Sequence, residues 1–78
     1  MRRETSTVAH ELIAEMVANV LTVVAAPGKQ VAAGEIVLIL ESMKMEIPVL
    51  AESAGTVLDV RVNEGDVVQE GDVLVLIG

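Results

Sequence analysis

A chain of 78 residues with no cysteine has neither disulfides nor thiolate metal sites to staple it, so its stability must come from one small core. Fifteen Val, eight Leu and five Ile against no Phe, Trp or Tyr make that core aliphatic and favour strands. A formal charge of −7 without an aromatic stacking platform argues against nucleic acid as a partner.

In chain order, Met1 to Thr7 is polar and without period, which predicts a flexible lead over residues 1–9 and one domain over 10–78. Arg2-Arg3 precedes apolar residues, but Glu4, His10, Glu11 and Glu15 interrupt every candidate signal sequence, and no apolar run is long enough for a membrane-spanning helix. A cytoplasmic protein with no membrane role is expected.

From Val8 the pattern conflicts with itself. Val8, Leu12, Ile13, Met16, Val17, Val20, Leu21 and Val24 fall at helical spacing, yet the chain laid on itself at an offset of 37 favours strands. Ala14-Glu15 matches Ala51-Glu52, Val20-Leu21 matches Val57-Leu58, and Val23, Gly28, Val31 and Gly34 match Val60, Gly65, Val68 and Gly71. Because Gly55 to Val62 alternates as a strand, the first copy is predicted to be a strand too. Each copy then reads as strand, Gly turn, short Val segment, Gly turn, strand. Two such units related by a pseudo-two-fold axis predict an all-β flattened barrel or sandwich.

Between the copies, Ile36 to Leu40 and Ile47 to Leu50 read as the arms of a β-hairpin with Met43-Lys44 at its tip. Pairing residues whose numbers sum to 87 puts Ser42 opposite Met45 and Glu41 opposite Glu46. Leu38, Leu40, Met45, Ile47 and Val49 then share a face, expected to be core. Tight hairpin turns favour Asn-Gly or Gly-X because central residues adopt positive φ. Met-Lys is a poor choice for that geometry, which suggests a tip selected for something other than folding. Pro48 is expected on a sheet edge and His10 solvated at a strand start. One histidine and no cysteine leave no nucleophilic pair and no zinc set, so the chain is not expected to be an enzyme.

Glu41-Ser42-Met43-Lys44-Met45 resembles the Glu-(Ala/Ser)-Met-Lys-Met motif of biotinyl domains, the biotin carboxyl carrier modules of biotin-dependent carboxylases. The resemblance covers about residues 10 to 78 and implies the barrel-sandwich hybrid fold. It implies biotin attached covalently to Lys44, with Met43 and Met45 as flanking recognition residues. It also implies three partners: biotin protein ligase, a biotin carboxylase and a carboxyltransferase. The lysine ammonium must be deprotonated before it can attack, a task for the ligase. Glu41 and Glu46 repel each other; ligase recognition, or protection of the tip against edge association, is the expected reason for them.

The chain is similar to the thumbless carriers, because its first corner has no insertion relative to the second. It departs from the family at Ala14-Glu15-Met16-Val17-Ala18, where many members have Ala-Pro-Met-Pro-Gly, so Ala18 must avoid positive φ or accept strain. Two rivals remain. A lipoyl carrier would have Asp-Lys-Ala at the turn, which this chain lacks. An unmodified β-sandwich adaptor, like the lipoyl-like domains of efflux periplasmic proteins, would leave Lys44 unmodified and bind elsewhere.

Overall fold

The computed structural model describes residues 9–78, so all but Ala9 of the expected lead lies outside the described residues. Eight strands follow in order: β1 (His10–Ile13), β2 (Ala18–Val23), β3 (Gln30–Val31), β4 (Ile36–Ser42), β5 (Met45–Leu50), β6 (Gly55–Val60), β7 (Val67–Val68) and β8 (Val73–Ile77). They form two four-stranded sheets, ordered β1-β8-β6-β3 and β5-β4-β2-β7. The two sheets are not joined into a closed barrel, and the assembly is a sandwich whose inner faces supply the core.

Among the described residues, the helical spacing from Leu12 to Val24 does not produce a helix. Leu12, Ala14, Ala18 and Val20 are buried, whereas Ile13, Met16, Val17, Leu21 and Val24 are exposed. The buried positions are all even-numbered, which is the period of a strand with one face inward. Extended chain is therefore the conformation that buries this segment's apolar side chains.

The 37-residue repeat organises the backbone in detail. β2 and β6, and β3 and β7, are separated by that offset. Their hydrogen bonds repeat across the pseudo-two-fold: Gly28 N–H donates to Val57 C=O at 2.8 Å and Gly65 N–H to Val20 C=O at 2.8 Å. Gly34 N–H donates to Ala51 C=O and Gly71 N–H to Ala14 C=O, both at 2.8 Å. Each copy thus closes its corners on the other, and neither can complete its hydrogen bonding alone. All four corner glycines have positive φ, between 86° and 94°, the region where a side chain would clash. The buried set matches in pairs, Val20 with Val57, Val31 with Val68, Leu38 with Val75 and Leu40 with Ile77.

The corners carry side-chain caps as well. Asp66 accepts from Asn63 N–H, Asp72 from Gln69 N–H and Glu35 from Ala32 N–H, at 2.8, 2.8 and 2.9 Å. Lys29 takes the place of Asp66 in copy one and instead meets Glu35 at 3.2 Å. The corners leading from β2 to β3 and from β6 to β7 are equal in length, as expected of a chain without a thumb insertion.

Ala18 is free of the strain that its replacement of glycine suggests: neither it nor Gly55 has positive φ. Space distinguishes them. A Cβ on Gly55 would lie 2.8 Å from both Gly78 O and Ile77 Cγ2, so glycine there permits a close approach of strands. Pro48 lies on β5, an edge strand, opposite Ile39, as its missing donor requires.

Candidate functional site

β4 and β5 form the hairpin in the predicted register: Ser42 opposite Met45, Glu41 opposite Glu46, Leu40 opposite Ile47 and Leu38 opposite Val49. Two residues remain for the turn, Met43 at φ 54° and Lys44 at φ 65°. Positive φ at both centres is the geometry of a type I′ turn, whose twist matches that of the flanking strands. Met43 and Lys44 are the non-glycine residues with positive φ among those described. For an L-residue this conformation costs roughly 1–2 kcal/mol, and the hairpin ladder beneath supplies the constraint that holds it.

That ladder has a counterpart at the opposite edge. β1 and β8 pair as His10 with Ile77, Glu11 with Leu76 and Leu12 with Val75, the same sum of residue numbers as in the Lys44 hairpin. The pseudo-two-fold mate of the hairpin is thus the edge where β8 runs out toward Gly78, with β1 entering beside it. Lys44 projects from the corresponding hairpin in the other sheet. Its side chain is exposed, and among the described residues no hydrogen bond or ion pair engages it.

The methionines depart from expectation in one respect. Met43 is 88% exposed, as its place at the tip requires. Met45, expected to share the core face with Leu38 and Leu40, is 59% exposed. Alternation does put it on the inward side, but burial falls off along the strand: Leu40 is buried, Ile47 is partly buried against the core, and Met45, nearer the tip, is outside it. Both methionines therefore stand in solvent beside the lysine. Sequence alternation reports a face; it does not report where along a strand the opposing layer stops.

Beside the hairpin lies a shallow groove of about 280 Å³, lined by Leu12, Ile13, Met16, Leu40, Ile47 and Pro48 and by the carboxylate residues Glu15 and Glu52. Periodicity placed Met16 on the apolar face of a discarded helix and gave it no place near Lys44; only the pairing of Asn19 with Glu41 brings that corner to the hairpin.

An aliphatic sandwich that holds an unencumbered primary amine on a tight turn, with no acid–base pair beside it, is a platform for a covalently attached group. It belongs to the class of carrier domains. The family model described as "Biotin-requiring enzyme" matches residues 8–77. The chain is 52% identical over 69 residues to the biotinylated protein TB7.3 homolog of Mycobacterium leprae, covering 88% of this chain and 97% of that one. Among solved structures, it superposes on the urea carboxylase of Kluyveromyces lactis with a TM-score of 0.86 and 35% identity, over 100% of this chain and 7% of that one. The lipoyl domain of the Azotobacter vinelandii 2-oxoglutarate dehydrogenase complex matches with a TM-score of 0.70 and 32% identity, over 80% of this chain and 78% of that one. This chain belongs to the biotin/lipoyl attachment family, and its relatives place it with the biotinyl rather than the lipoyl members.

Proposed function

We propose that this chain is a biotin carrier modified at Lys44, and that it serves a biotin-dependent carboxylase without catalysing a reaction itself. The observation that carries the assignment to Lys44 is its position at the apex of a type I′ turn, solvent-exposed and between two exposed methionines. Biotin, once attached, supplies a ureido nitrogen that accepts and releases a carboxyl group. The chain's own contribution is mechanical. The two-sheet core gives a rigid base, the strained turn fixes where the amine leaves it, and the exposed side chain extends the reach. Tethering raises the effective concentration of the carried group at two enzyme sites in turn.

Attachment requires Lys44 Nζ to lose its proton and attack the acyl carbon of a biotinyl-adenylate. The new amide C–N bond replaces the acyl–phosphate C–O bond, and AMP leaves with its electron pair. Among the described residues no side chain bonds to Lys44 Nζ to take the proton, a task that falls to biotin protein ligase. A biotin carboxylase and a carboxyltransferase are the proposed clients, in keeping with the carboxylase in which a similar domain is found. A cytoplasmic location is part of the proposal, because adenylation of biotin consumes ATP.

The test is the intact mass of wild type and Lys44→Ala after incubation with a biotin protein ligase, ATP and biotin. A gain of one biotinyl group by wild type alone is expected. No gain by the folded wild type, or an equal gain by Lys44→Ala, would overturn the assignment.

A further inference from the structure

Oxidisable side chains are few in this chain and unevenly placed. It has no Cys, Trp or Tyr, so the thioethers of its four methionines are the groups most open to peroxides. Three of them lie among the described residues, and none belongs to the core, which is built of Ala, Val, Leu and Ile. Met43 is 88% exposed at the apex of the turn, and Met45 is 59% exposed on the first rung below it. Met16, 38% exposed, lines the groove beside the hairpin with Ile47 and Pro48. The apolar side chain that oxidation turns polar is thus kept out of the core, and two copies of it stand on either side of Lys44.

A thiol must ionise before it reacts. A thioether carries its lone pair at every pH, so access sets its rate of oxidation, and the three methionines differ in access.

We propose that Met43, and after it Met45, are sites of reversible sulfoxidation by hydroperoxides, and that their sulfoxides slow the acylation of Lys44 without disturbing the fold. The effect on acylation rests on the assignment of Lys44 as the attachment site. In the reaction a sulfur lone pair attacks one oxygen of the hydroperoxide, an S–O bond forms and the O–O bond breaks. With hydrogen peroxide the displaced oxygen takes the proton of the transferred one and leaves as water; sulfur gives up two electrons and the peroxide gains them. The product carries a strongly accepting oxygen where a flexible apolar chain stood. An active site that closes over Lys44 must cover both of its neighbours, and covering a sulfoxide without a donor for its oxygen is far less favourable than covering a thioether. The sandwich is indifferent to the change, because no methionine contributes to its core.

The experiment treats the unmodified protein with graded hydrogen peroxide, then removes the peroxide and digests a portion with trypsin. Cleavage after Lys29, Lys44 and Arg61 puts Met16, Met43 and Met45 in separate peptides, 4–29, 30–44 and 45–61, so each gain of one oxygen is read by mass at a single residue. Oxidation is expected in the order Met43, Met45, Met16, with Met43 at least about twofold faster than Met16. The thermal midpoint is expected to stay within a few degrees of that of the untreated protein. Given biotin protein ligase, ATP and biotin, the oxidised carrier is expected to show a kcat/KM about fivefold or more below its starting value. Methionine sulfoxide reductases of both stereospecificities should restore it to within about twofold. Met43→Leu, Met45→Leu, compared with itself before and after peroxide, is expected to change by less than about twofold, whatever its own starting rate.

Equal rates at the three methionines, or Met16 reacting first, would overturn the assignment of the sites. A kcat/KM unchanged by oxidation, a loss that the reductases do not reverse, or an equal loss in the double variant would overturn the effect on loading. A large fall in the thermal midpoint would do the same, by showing that the sulfoxides act through the fold. Absence of biotin on untreated wild type would overturn the carrier assignment itself, and with it the effect on loading, while the order of oxidation is still decided by mass.

Discussion

Met43 and Lys44 carry the cost of the site. Two L-residues in the left-handed region are less stable there than Asn-Gly would be, and no burial compensates them, since Met43 is almost fully exposed. Replacing Met43 by Asn, which tolerates this region better, is expected to stabilise the domain by about 0.5–1 kcal/mol. That corresponds to a rise of a few degrees in Tm, measurable by thermal unfolding of the unmodified protein. An unchanged or lower Tm would show that the turn is not strained as its φ values indicate. Residue type alone pointed to this strain, because Met-Lys suits a type I′ turn poorly. The exposure of Met45 was not readable in the same way, because it depends on where the opposite sheet ends.

At the level of elements, the corners show how two copies of one pattern use different side chains for one task. Asp66 and Asp72 cap the turns of copy two, while copy one uses Glu35 and the Lys29–Glu35 pair. The Glu35 carboxyl is held below the ordinary carboxylate range, first by the hydrogen bond from Ala32 N–H and then by Lys29. A carboxyl with a depressed folded-state pKa stabilises the fold above its unfolded pKa, and the contribution is lost as pH falls through the folded value. Denaturant unfolding of wild type and Glu35→Gln should therefore differ at neutral pH, wild type being the more stable. The two should converge as the medium is acidified below the usual carboxylate range. A difference that persists in acid would assign the effect to packing. The glycines of these corners were legible from the repeat, whereas the caps were not. Glu35 and Asp72 cap matched turns with a carboxylate, whereas Lys29 stands where Asp66 caps and pairs with Glu35 instead, and only the turn geometry reveals which of these carboxylates cap.

For the whole molecule, stability resides in the contact between the two copies. Leu38 is completely buried in that contact, and its mate Val75 is equally so. Leu38→Ala is expected to cost about 3 kcal/mol, a large share of what a domain of this size possesses. Leu50→Ala, on an exposed position of β5, should cost less than about 0.5 kcal/mol. Chemical denaturation of both variants checks the contrast, and equal losses would contradict the division into core and surface.

The sequence by itself determined the strand composition, the repeat, the register of the Lys44 hairpin and the lysine at its tip. These follow from local rules: β-branched side chains, alternation, glycine at corners and the separation of two apolar arms. Only the tertiary structure decided that Gly55 serves a close approach and that Met45 lies beyond the core. It also brought Met16 to the groove beside the Lys44 hairpin. Each of these depends on what another part of the chain places opposite, which no local pattern encodes.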